Sequence, residues 1–178
     1  MPPHPFIHRM ILRNAVNASI QRAKVYSENA LQVQKKEFRE DLKNWLMELG
    51  LRYFYQDYNE ERYCNEILCL KNYLIQNHAP TLCDGNIKIG VCQKAITLYL
   101  KYFWLLGDDS KKPLFATIDR GIMRDANVTN PPNWTELDEI EEYIRIVNQI
   151  EAYAINHGFE SGAHWEAETW TDEDDVQP

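Results

Sequence analysis

The chain lacks most features that announce a common function class. Its four cysteines, Cys64, Cys69, Cys83 and Cys92, form no C-x-x-C pair. Neither a zinc site nor a disulfide framework is therefore expected, and the thiols read as reduced. No glycine-rich loop of the Rossmann or Walker type occurs, which removes the usual dinucleotide and triphosphate signatures. No stretch approaches the roughly 18 consecutive apolar residues of a membrane span. Met1 to Pro5 lacks the charged-then-apolar layout of a secretory signal. Ser19, Ser27, Ser110 and Ser161 stand in no recognisable relation to a histidine, so no hydrolase triad is supported. His157 and His164 lie seven residues apart across a glycine, with Glu160 and Glu166 nearby, a spacing that matches no standard ligand set. The expectation is a cytoplasmic protein without metal, cofactor or membrane contact.

Basic residues are scarce near the end. After Arg124 only Arg145 is basic against 14 acids, while the preceding part carries about +5, so the net charge of −8 hides a strongly acidic last third. Overall acidity disfavours loose, salt-driven binding to duplex nucleic acid. The mildly basic body still suits a small anionic ligand, and the acidic third suits a basic protein partner. Arg9, Arg13, Arg22 and Lys24 precede the first acid, Glu28, and read as a basic first helix.

At 178 residues one domain is expected, over 1–170, followed by an acidic, flexible tail over 171–178. Apolar residues recur at three- and four-residue steps almost throughout, so the class is all-α, a single helical bundle. The spacing predicts helices over 7–24, from a Ser27 cap to a stop at Gly50, and from an Asn59 cap to Pro80. Between the last two, Arg52 to Tyr58 reads as a short extended connector. The stretch Gly90 to Leu106 is apolar nearly all round and belongs at the bundle centre. A short helix opens at Asp119. A long one starts at Asn133 or Thr135, just past Pro131-Pro132, and stops at Gly158. A final aromatic helix spans 160–170.

The most informative segment is Ile89-Gly90-Val91-Cys92-Gln93-Lys94-Ala95-Ile96, followed 25 residues after the lysine by Ile118-Asp119-Arg120. It puts an amine one turn into the central helix and a carboxylate at the start of the next. An amine can attack an electrophilic carbon and a carboxylate can steady the resulting positive charge. The same residues also fit a snorkelling lysine and an ordinary N-cap joined as a structural ion pair.

Gly90-Val91-Cys92-Gln93-Lys94 resembles the hairpin-and-lysine segment of the helix-hairpin-helix DNA glycosylases. Ile118-Asp119-Arg120-Gly121-Ile122 is similar to their Val-Asp-x-x-Ile segment. The likeness covers residues 84–123. It implies a helix-hairpin-helix-like core, a base flipped from the duplex, Lys94 as nucleophile and Asp119 as electrostatic partner. Gly90, Gln93 and Arg120 would then border the ligand, with stacking rings from Tyr99, Phe103, Trp165 or Trp170. Cys92 stands where that family carries the hairpin's second glycine, the lysine–aspartate interval is longer, and no iron–sulfur cysteine cluster follows. Expected ligands are a nucleotide-like small molecule or a flipped base. Two further readings are a non-catalytic binder that sequesters a nucleotide-derived signalling molecule, and an acidic protein–protein inhibitor.

Overall fold

A computed structural model describes residues 4–106 and 111–169. Trp170, expected as a stacking ring, and the acidic segment 171–178 lie outside the described residues. Among these residues the chain forms seven α-helices and no strand: α1 (Pro5–Ile20), α2 (Gln32–Tyr55), α3 (Glu60–His78), α4 (Ile89–Leu106), α5 (Arg120–Asp125), α6 (Ile140–Asn156) and α7 (Gly162–Thr169). The all-α expectation holds.

The middle of the bundle is α4, whose residues Ile89 to Lys101 are all buried. Helices α1, α2, α3 and α6 pack around it, and α7 rests on α6. Several starts follow directly from local chemistry. Asn59 caps α3 by accepting from the Arg62 amide, and Asp119 caps α5 by accepting from the Ile122 amide at 3.0 Å. Pro5 occupies the first turn of α1, where its missing N–H leaves no intrahelical bond unmade.

The first helix stops at Ile20, four residues short of Lys24, so Arg22 and Lys24 lie beyond it. Three further boundaries differ from the sequence expectation, each for a tertiary reason. Ser27 does not cap α2; its amide donates to the Thr81 carbonyl at 2.9 Å, as the preceding loop pairs with the turn after α3. Gly50 does not end α2, which continues to Tyr55 and takes in half of the expected connector. A Cβ on Gly50 would lie 2.7 Å from the Tyr99 hydroxyl oxygen and 2.9 Å from Cε1. The glycine serves the close approach of α2 to α4. The helix after Pro131-Pro132 begins only at Ile140, because Trp134 to Asp138 folds over the start of α4 instead. The Gly90 amide donates to the Leu137 carbonyl at 2.9 Å, and a Cβ on Gly90 would fall 1.7 Å from the Trp134 carbonyl oxygen.

Candidate functional site

Along one stripe of α4, Lys94 and Lys101 stand two turns apart. Facing them is the irregular stretch 116–119 that leads into α5. Gln93 fastens this stretch. Its Nε2 donates to the Ile118 carbonyl at 2.8 Å and to the Gly90 carbonyl at 3.0 Å, and its Oε1 accepts from the Ile118 amide at 3.2 Å. The carboxamide thus pairs with both backbone groups of one residue, as a neighbouring strand would. It delivers Asp119 to a position opposite Lys94.

The Lys94 Nζ lies 3.4 Å from Asp119 Oδ2 and 4.2 Å from the centre of the Trp134 ring. Only 9% of Lys94 is exposed. Burial pulls the amine below the ordinary lysine range, and the Asp119 carboxylate opposes that shift without cancelling it. The amine therefore gives up its proton more readily than a surface lysine. Asp119 divides its two oxygens, one toward Lys94 and one on the Ile122 amide. Its side chain is about a quarter exposed, so the pair opens to solvent on the carboxylate side.

The remaining expected site residues fare unequally. Lys94 and Asp119 are brought together, and Arg120 is exposed at the first position of α5, next to them. Gly90 and Gln93 are buried, with the glycine amide and the whole carboxamide engaged by the protein itself. The rings expected to stack on a ligand face other elements. Tyr99 is 1% exposed and its hydroxyl bonds His8 Nε2 at 3.0 Å, while Phe103 stacks on Phe54 with centroids 4.4 Å apart. Trp165 is buried edge-on against Tyr153 of α6. These three do not line a hollow beside the amine. The ring that does approach it, Trp134, sits 40 residues further along the chain. It is held there by the contact with Gly90, and no local spacing points to it.

Two other charged groups also escaped the sequence reading. Lys101 pairs with Glu166 of α7, with side chains only 9% and 3% exposed, and the second Glu166 oxygen accepts from the Thr117 amide at 2.9 Å. Asp138 receives both Lys71 and Lys88 at the start of α4. Among the described residues no group of three or more His, Cys, Asp or Glu side chains is arranged to hold a metal, and no helix is long and apolar enough to cross a membrane. Comparison with protein-family models, with curated proteins and with solved structures found no match for this chain.

Proposed function

We propose that the chain recognises a nucleobase- or nucleotide-like ligand beside Lys94, as a glycosylase- or lyase-like protein whose lysine is the nucleophile. One arrangement carries the reading: a nearly buried amine, shifted toward its neutral form, set 3.4 Å from a carboxylate and 4.2 Å from a tryptophan face. The order of turn, lysine helix, loop and aspartate-capped helix agrees with the helix-hairpin-helix likeness. In the proposed step the neutral amine attacks the aldehyde carbon of an opened abasic sugar. The resulting carbinolamine takes one proton from solvent on its hydroxyl and loses water, leaving an iminium ion whose charge Asp119 offsets. Trp134, itself only 4% exposed, holds the Lys94 amine against its ring face and excludes water from it.

The test is borohydride trapping on an oligonucleotide bearing an abasic site and on a panel of nucleotides, with the adduct mapped by mass spectrometry. The expected result is one reduced adduct on Lys94, lost in Lys94→Gln. Trapping that survives this substitution, or no trapping on any substrate, refutes the assignment.

One observation favours a second reading, binding without turnover. The Gly90 amide, which the family likeness would aim at a DNA phosphate, already donates to Leu137. Together with the net charge of −8, this favours a free nucleotide-derived molecule over a duplex. Calorimetry showing nucleotide binding, with no adduct and no product, selects this reading over the first.

A further inference from the structure

Helices α1 and α2 leave an open groove of about 400 Å³ between them. Phe6, Met10 and Met47 line it with apolar atoms, while Arg9, Arg13 and Lys43 supply cationic groups. Phe6 is 55% exposed, which is unusual for a large ring in water. One turn beyond Met47 the same stripe of α2 continues into Leu51 and Tyr55, exposed by 64% and 84%. Lys43 is tied to Glu40 at 2.8 Å. Arg9 and Arg13, one turn apart on α1, pair with no carboxylate among the described residues.

We propose that this groove docks an acidic amphipathic helix of a partner protein. Charge decides the sign of the partner: two guanidinium groups with no carboxylate partner among the described residues border the groove, and its one acid, Glu40, is occupied by Lys43. Shape decides the class. A trough between two helices, with apolar side chains one turn apart, accepts a third helix through anchors at i and i+4. Methionines at positions 10 and 47 add an adaptable apolar surface of the kind that suits peptide anchors. A lipid surface would call for a convex, protruding apolar element, whereas these residues line a concavity. A nucleic acid would need a continuous cationic track, whereas this groove offers three cationic side chains, Arg9, Arg13 and Lys43, around an apolar floor. The groove lies apart from Lys94, so the inference stands independently of the proposed chemistry.

The test uses the full chain and a synthetic helical peptide with two leucines four residues apart, flanked by glutamates. Its control carries lysine for every glutamate. Backbone NMR of the labelled protein should show acidic-peptide shifts confined to α1 and α2, and the control should bind at least about tenfold more weakly. The double substitution Arg9→Glu/Arg13→Glu should invert that preference. Met10→Lys should weaken binding while Lys94 trapping is unchanged. Equal binding of the two peptides, or shifts centred elsewhere, overturns the proposal. So does binding to anionic phosphatidylserine vesicles in place of the peptide. Self-association through this groove, seen by sedimentation and abolished by Met10→Lys, also overturns it by assigning the surface to a second copy.

Discussion

Replacing Lys101 with methionine removes one half of an ion pair that water hardly reaches. Glu166 would be left without its cation at 3% side-chain exposure, with one backbone donor, the Thr117 amide at 2.9 Å. Stranding a buried charge in this way costs about 3–5 kcal/mol. In a chain of this length each kcal/mol moves the midpoint by about 2–4 °C, so Tm should fall by roughly 6–20 °C. The second substitution is the discriminating one. In Lys101→Met/Glu166→Gln the charge is gone, the amide oxygen can still accept from Thr117, and only an NH2 group lacks a partner. That residual loss is about 1–3 kcal/mol, so the double variant should melt between the single variant and the parent. Thermal unfolding followed by circular dichroism at pH 7 measures all three. A Lys101→Met protein within about 2 °C of the parent, or a double variant less stable than the single, refutes the claim that this pair is electrostatically coupled in the interior.

Three other outcomes can be checked alongside. Gly90→Ala forces a methyl into the Trp134 carbonyl at 1.7 Å; with backbone as the obstacle, destabilisation should reach or exceed about 3 kcal/mol in denaturant unfolding. Faster amide exchange should appear across 134–138, and unchanged stability would contradict the close approach. Tyr143→Phe removes a fully buried hydroxyl that finds no partner among the described residues; stability should hold or rise by up to about 1–2 kcal/mol, and a clear loss would reveal a partner. For Lys94, an NMR titration of its Cε should give a midpoint below the ordinary 10.5, and Asp119→Asn should lower it further by removing the opposing carboxylate. The unfolded chain holds this proton up to 10.5 while the folded chain releases it earlier. Stability therefore rises with pH between the two values, from this residue's contribution. A midpoint at or above 10.5 refutes the desolvation argument.

Helix content and the central place of α4 were legible because an apolar pattern that runs all round a helix has few other destinations. Asp119 and Asn59 were legible as starts because capping is a local property of a side chain and the next three amides. Gly50 misled for the opposite reason: its missing Cβ answers Tyr99, 49 residues away, and not the end of its own helix. Pro131-Pro132 marked a break correctly, but the delay to Ile140 depends on Trp134 and Leu137 lying across Gly90. At the site, the Lys94–Asp119 pair followed from motif spacing. Trp134, Glu166 and Asp138 did not, since each reaches its lysine from an element whose docking no periodicity encodes. The same limit explains why Tyr99, Phe103 and Trp165 were assigned to a ligand: aromatic content reveals supply, and only packing reveals which neighbour takes each ring.

A cylinder greasy on every side has no hydrophobic reason to prefer one rotation over another, and α4 is close to that condition. Its two interior cations add to the preference that Gly90 against Trp134 and Gln93 on Ile118 already set. Turning the helix by one residue, about 100°, would swing both ammonium groups off their carboxylates and into aliphatic packing. The lysines thereby act as an index pin for azimuth and register, a role attested for buried polar groups elsewhere. Exchanging both lysines for methionine, with Asp119→Asn and Glu166→Gln to keep acceptors for the Ile122 and Thr117 amides, should cost only part of the stability while smearing the methyl spectrum of α4 over several packings.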